Sequence, residues 1–162
     1  MISIKTDREI ELLKKAGEIV GNTHNYLKQY IKPGITTKEL DLLARDYIIE
    51  SGATPSFYKL YDFPGNICIS INDEVVHGIP GNRKLKEGDI VTLDIGACYK
   101  GYHGDSAWTY PVGKISPVKQ ALLDQTEEAL FAGLNVIKAG IHVGDIGYAI
   151  ENCAKKYHLC VI

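Results

Sequence analysis

The feature that most constrains the fold is a run from residue 90 to residue 112 in which apolar and polar side chains alternate around one turn. Ile90–Tyr99 and Tyr102–Val112 flank the dipeptide Lys100-Gly101. Such alternation is typical of half-buried strands, and a two-residue connection containing glycine is typical of a β-hairpin. The sequence therefore predicts an antiparallel pair in which Tyr99 lies opposite Tyr102.

Two aspartates interrupt this hairpin, although aspartate is depleted in strands. With the predicted register, Asp105 lies opposite Gly96, and Gly96 shares a face with Asp94 because side chains alternate along a strand. The two aspartates are then diagonal neighbours, roughly 7–8 Å apart at the backbone. The same polar face is predicted to carry Thr92, His103 and Thr109, and the opposite, apolar face is predicted to carry Val91, Leu93, Ile95 and Trp108.

Two neighbouring carboxylates without a cation repel each other, and one of them acquires a raised pKa. A divalent cation relieves this repulsion, so the pair could bind one metal or bridge two that lie roughly 3.5–4 Å apart. The alternative is that both aspartates are exposed near the turn or accept hydrogen bonds from backbone N–H groups. The spacing alone leaves both interpretations open.

His77, in the sequence HGIP at residues 77–80, is the second candidate. A single histidine at the end of an apolar segment is more often a hydrogen-bonded structural residue than a functional one. Near a metal site it could instead donate a proton or contact a substrate.

The other elements are predicted from caps and periodicity. Capping boxes at 6–9 and 36–39 open two helices, which end at Pro33-Gly34 and near Gly52. Short strands are predicted at 57–60, 67–71 and 74–79, the last two forming a hairpin around Asn72-Asp73. Further helices are predicted from Ser116-Pro117 to about residue 138 and from residue 143 to residue 157.

Composition excludes several classes of function. The chain has 162 residues and a formal net charge of −2, which gives no electrostatic basis for binding nucleic acid or an anionic membrane surface. It has no secretory signal and no run of roughly 20 apolar residues. The four cysteines form no C-x-x-C pair and are interpreted as reduced thiols. We therefore expect a cytoplasmic protein with neither nucleic-acid nor membrane partners.

A weak internal repeat suggests two related halves. IKPGITTKEL begins at Ile31 and IKAGIHVGDI begins at Ile137, and each combines a helix end, a glycine and a new helix start. The first half is expected to cover about residues 1–113, and the second to begin within 114–162. Strands matching the first half would follow Ile162, so we expect one catalytic-type domain that is incomplete at its C-terminus.

The segments ICISINDEVVHGIP and GDIVTLDIGACYKGYHGD resemble type I methionine aminopeptidases, of the pita-bread metallopeptidase family, and the similarity extends over essentially the whole chain. The resemblance implies an α+β pita-bread (creatinase/aminopeptidase-like) fold, comprising the N-terminal half and the first helices of the C-terminal half. It implies removal of the initiator methionine from nascent proteins with a small second residue. Partners would be peptides that begin with Met, including nascent chains on the ribosome.

The resemblance also implies roles for particular residues and cofactors. Two divalent metal ions (Co, Mn, Fe or Zn) would occupy the complete family site. Asp94 and Asp105 would be metal ligands, and His77 would be catalytic and would contact the substrate. The methionine pocket would be lined by Phe57, Phe63 and Cys68. Leu60 departs from the family, because a pocket tyrosine is common at that position.

The family's remaining ligands, one His and two Glu, fall beyond Ile162, as does a second catalytic histidine. We therefore expect weak or partial metal binding and little or no peptidase activity from these 162 residues. One alternative is a non-catalytic pita-bread module that binds other proteins, which the presence of Asp94, Asp105 and His77 disfavours. Another is a proline-specific peptidase of the same fold. Those enzymes usually carry an extra N-terminal domain, whereas residues 1–52 lead directly into the catalytic unit.

Overall fold

Two threonine capping boxes start the first two helices, as the sequence predicts. The computed structural model describes residues 3–162, and the chain divides after Ile115 into two compact units. In the first unit, α1 spans Asp7–Lys28 and α2 spans Thr37–Glu50. Each capping threonine accepts from a backbone N–H three residues later, and the glutamate there accepts from the threonine N–H. Helix α1 ends several residues before the predicted stop at Pro33-Gly34.

The sheet of the first unit is antiparallel and centred on one long strand. Its strands are β1 (Thr54–Pro55), β2 (Cys68–Ile71), β3 (Ile90–Tyr99) and β4 (Tyr102–Pro111). Strand β4 pairs along the whole of β3, and β1 and β2 pair with different parts of β3. Because β4 occupies one edge of β3, β1 and β2 share the other edge.

The core of this unit lies between the helices and the inner face of the sheet. Helix α1 packs on β3 and β4, and α2 packs on α1, β1 and β2. From β3, Val91, Leu93 and Ile95 are completely buried, as predicted. Trp108 lies opposite Leu93 in the register but is more than a third exposed, so its predicted place on an apolar face does not bury it.

Two predicted strands are wrong. Residues 57–60 form a turn leading into a 3-10 helix at Leu60–Asp62, because Lys59 has a left-handed backbone and the Leu60 N–H donates to Phe57 O. Residues 74–79 form a loop after β2. The Glu74 carboxylate accepts from the Ile71 N–H at 2.8 Å, and His77 has a φ of 58°, a value incompatible with a strand.

The second unit, residues 116–162, is a pair of packed helices. Helix α3 spans Pro117–Asn135, with Pro117 in its first turn as predicted, and α4 spans Val143–Lys156. The Glu128 carboxylate of α3 accepts from Tyr157 Oη at 2.5 Å and from Cys153 Sγ at 3.5 Å. Across residues 3–162, every cysteine is a free thiol, and no helix combines the length and apolar character needed to cross a bilayer.

Candidate functional site

The hairpin register places both aspartates on one face, as predicted. Tyr99 pairs with Tyr102, Gly96 with Asp105, and Asp94 with Ala107. Both turn residues have positive φ, 51° at Lys100 and 85° at Gly101, as a two-residue hairpin turn requires. The predicted polar face is also present, since the hydroxyls of Thr92 and Thr109 lie 2.8 Å apart.

The two carboxyl groups interact directly. Burial, and then the negative charge of Asp105, raises the pKa of Asp94 from 3.8 to about 6. A hydrogen bond between the two carboxyl groups contributes, and such a bond requires one of them to be protonated. Above about pH 6, Asp94 is ionised as well, and the two negative carboxylates repel each other within a half-buried site.

This pair has the chemistry of part of a metal site. Carboxylate oxygens are good ligands for divalent cations, and a cation would remove the repulsion between Asp94 and Asp105. The residues therefore fit a divalent metal as two of its ligands. In the part of the chain from residue 3 to residue 162, no three His, Cys, Asp or Glu side chains are grouped so as to hold a metal ion.

His77 lies close enough to the pair for its charge to lower the pKa of Asp94. The position of His77 is fixed by the residue that follows it, Gly78. The Gly78 carbonyl accepts from Ile69 N at 2.9 Å, and the Gly78 N–H donates to the buried Ser70 Oγ at 3.2 Å. A Cβ on Gly78 would overlap the Ile69 carbonyl oxygen, so only glycine fits there. The backbone of β2 thus holds the exposed His77 side chain beside the aspartates.

Aromatic and thiol side chains lie beside the carboxylates. The Phe57 ring covers Gly96, where a Cβ would lie 2.7 Å from ring carbon Cε1. Cys68 pairs with Asp94 across the sheet and is buried. Burial, and then the charges of Asp94 and Asp105, raises the pKa of the Cys68 thiol to about 11, so it is neutral at physiological pH.

Phe63 lies in the same segment as Phe57 but beside a different loop. A Cβ on Gly65 would be 3.0 Å from the Phe63 ring and 2.8 Å from Pro80, the last residue of the HGIP sequence. Leu60 is about half exposed. The structure therefore brings Asp94, Asp105, His77, Phe57 and Cys68 together and places Phe63 against the HGIP loop.

Sequence reasoning missed His24, which connects α1 to β4. Its Nε2 lies 3.1 Å from the Ser106 carbonyl and its Nδ1 lies 3.1 Å from Tyr110 Oη. A carbonyl only accepts, so Nε2 carries the proton and Nδ1 accepts from the tyrosine. Burial lowers the pKa of His24, which favours this neutral form. The contact fixes β4 one residue from Asp105, and a lone histidine within a helix gave no signal of it.

Comparison with known proteins identifies a family to which this chain is similar. Residues 11–161 match the sequence profile of metallopeptidase family M24. Methionine aminopeptidase 1 of Bacillus subtilis is 51% identical over 162 residues, which are 100% of this chain and 65% of that protein. The methionine aminopeptidase of Clostridium perfringens is 47% identical, with the same two coverages. The chain thus spans about 65% of the length of the curated relatives it matches.

The fold also matches a solved structure. The crystal structure of methionine aminopeptidase from Thermotoga maritima aligns with a TM-score of 0.97 at 37% identity, covering 100% of this chain and 66% of that one. This match confirms the pita-bread fold predicted from the sequence.

Proposed function

The chain belongs to metallopeptidase family M24, and from that membership we propose that it provides part of the active site of a methionine aminopeptidase. The reaction is removal of the initiator methionine from nascent proteins whose second residue is small. The observation that carries this proposal is the pair of interacting carboxylates, Asp94 and Asp105, with His77 beside them. The names of the relatives support the choice of methionine over proline-specific chemistry.

Asp94 and Asp105 would hold the metal, with two divalent ions (Co, Mn, Fe or Zn) in the complete site. When bound, divalent cations supply Lewis acidity, which polarises a carbonyl and lowers the pKa of water. The contribution of this chain is a rigid pair of acceptors, because both aspartates lie within hydrogen-bonded strands.

The remaining residues orient the substrate. His77 would donate a hydrogen bond near the scissile amide, from a backbone position that Gly78 and β2 hold fixed. Phe57, Phe63 and the neutral Cys68 would surround the methionine side chain and exclude water. An apolar wall next to charged groups strengthens electrostatic contacts within the site.

We further propose that these 162 residues alone have little or no activity, because two carboxylates without further ligands hold a metal weakly. A non-catalytic binding module is the second candidate. It is disfavoured because two repelling carboxylates have no use in such a module. A cytoplasmic location is proposed on the basis of the four free thiols, and ribosome-associated nascent chains are proposed as substrates.

Methionine release from a Met-Ala-Ser peptide, with Mn²⁺ or Co²⁺ and an EDTA control, tests the proposal. The chain is assayed alone and fused to the remaining third of the Bacillus subtilis relative. We expect metal-dependent release from the fusion but not from the 162-residue chain. In the fusion, Asp94→Asn should reduce release at least about 100-fold, and Asp73→Asn, an exposed control, should leave it unchanged. A fusion that folds and binds metal but releases no methionine would contradict the proposal, as would full activity in Asp94→Asn.

A further inference from the structure

We infer that Asp41, a buried carboxylate of α2, is a positioning residue that holds segment 57–67, and with it the wall of the methionine pocket, in place. This inference rests on the proposed function, because the segment carries Phe57 and Phe63 and leads into Cys68. In the sequence, Asp41 is an ordinary polar position of an amphipathic helix, and no pattern distinguishes it from a surface residue.

The Asp41 carboxylate accepts three hydrogen bonds, all from N–H donors of two consecutive residues. The residue is only 6% exposed. Its Oδ1 accepts from the backbone N–H of Asn66 at 2.6 Å and of Ile67 at 3.0 Å, and its Oδ2 accepts from Asn66 Nδ2 at 2.7 Å. Within residues 3–162 it forms no ion pair, and Arg45, one turn along α2, pairs with Asp46 instead. A buried carboxylate is tolerated only when donors satisfy it, so this site depends on the chain at Asn66 and Ile67.

Segment 57–67 depends on external anchors because its own backbone is irregular. Lys59, Tyr61 and Asp62 all have left-handed φ values, of 65°, 49° and 63°, which non-glycine residues adopt only when the surroundings impose them. The chain just before the segment is fixed to the sheet, where Ser56 N–H donates to Gly96 O at 2.9 Å. The other end is held by Asp41 and, from Cys68 onward, by the pairing of β2 with β3.

Apolar packing holds only the last residue of the segment against α2, because Ile67 is completely buried in the core that α2 helps to form. A cavity of about 410 Å³ lies between α2, the segment and residues 80–82. Its lining includes the polar side chains of Lys38, Arg45 and Asn82. Before Ile67, the segment therefore borders this cavity, and the hydrogen bonds between Asp41 and Asn66 connect it to α2.

The anchor lies directly beside the residues of the wall. Asn66 follows Gly65, against which the Phe63 ring packs, and Ile67 precedes Cys68, which pairs with Asp94. Loss of the anchor would therefore displace the part of the wall around Phe63, whereas Cys68 would stay paired with Asp94. It would leave Asp94 and Asp105 in place, because the ladder between β3 and β4 holds them independently.

A charge swap tests the geometry. Asn66→Asp places one buried carboxylate against another, and Asp41→Ala removes the acceptor of all three hydrogen bonds. The swap of Asp41→Asn together with Asn66→Asp restores the pairing, because the new amide oxygen at position 41 can accept from both backbone N–H groups while its NH₂ donates to the new carboxylate at position 66. Asp46→Asn, an exposed change on the same helix, is the matched control.

The first measurement is the rate of native-state cleavage by trypsin after Lys59, within the segment, compared with cleavage after Lys100 in the hairpin turn. We expect roughly tenfold faster cleavage at Lys59 in Asn66→Asp and in Asp41→Ala, with little change at Lys100, and recovery when Asn66→Asp is combined with Asp41→Asn. Unchanged cleavage at Lys59 would overturn the inference. So would equal acceleration at both sites, or a double variant that is cleaved at Lys59 as fast as Asn66→Asp.

The second measurement separates the wall from the metal site. In Asn66→Asp we expect affinity for the Met-Ala-Ser peptide to fall roughly tenfold and Mn²⁺ affinity to stay within about twofold. Opening of the segment without loss of peptide affinity would overturn the role in the pocket. If the unmodified chain and its fusion bind no peptide at all, the proposed function fails, and the cleavage at Lys59 still decides whether Asp41 anchors the segment.

Discussion

Replacement of Gly78 by alanine is expected to destabilise the first unit by about 3 kcal/mol or more. The new methyl group would overlap the carbonyl oxygen of Ile69, a backbone atom of β2 that cannot rotate away. Relief requires the loop to separate from β2, which breaks the hydrogen bonds from Ile69 N to Gly78 O and from Gly78 N to Ser70 Oγ. His77 would then lose its position beside the aspartates.

Gly81→Ala is the matched control for this prediction. Gly81 lies in the same loop, but a Cβ there would meet no atom within 4 Å. Urea unfolding followed by circular dichroism measures both free energies of unfolding, and we expect the control to lie within about 0.5 kcal/mol of the unmodified chain. Equal stability of the two variants would show that the loop does not need the close approach at Gly78.

Asp94→Asn is expected to stabilise the metal-free chain by about 1–2 kcal/mol at pH 7.5. The reason is the pKa of Asp94, which is about 6 in the folded chain against an ordinary 3.8. Between these values the folded state retains a proton that the unfolded state has released, so stability falls as the pH rises. At pH 7.5 the whole loss is present, and the neutral asparagine avoids it. The magnitude is reduced because the carboxyl group is only half buried.

The measurement is urea unfolding in EDTA at pH 4 and pH 7.5. The advantage of Asp94→Asn over the unmodified chain should be present at pH 7.5 and nearly absent at pH 4. Asp73→Asn, in an exposed turn, should give no such difference. Lower stability of Asp94→Asn at pH 7.5 would mean that the aspartates are satisfied within the folded chain and carry no repulsion for a cation to relieve.

The features that the sequence predicted correctly are local ones. The capping boxes at Thr6 and Thr36 depend on residues three apart, and the hairpin register depends on two turn residues and strict alternation. Because the register follows from the turn, the proximity of Asp94 and Asp105 could be deduced without any knowledge of tertiary structure.

The features that the sequence did not predict depend on long-range contacts. Residues 57–60 have a strand-like composition, but the segment is held by Asp41 and by the sheet in left-handed conformations that no local pattern indicates. His77 is positioned by Ser70, a buried residue of another element. The roles of Asp41 and His24 each depend on a partner distant in sequence, and the role of Ser70 depends on a loop that folds back onto β2. Polar residues of this kind are indistinguishable from surface positions in a single sequence.

Binding of Mn²⁺ to the 162-residue chain, followed by electron paramagnetic resonance, tests most directly the central claim that Asp94 and Asp105 hold a metal together. The account predicts weak binding that Asp94→Asn and Asp105→Asn each reduce by at least about tenfold, with the double substitution little worse than either one because the two ligands act as a unit. Asp73→Asn should bind as the unmodified chain does. Unchanged Mn²⁺ affinity in Asp94→Asn or Asp105→Asn would contradict the claim and leave the carboxylate pair without a role in metal binding.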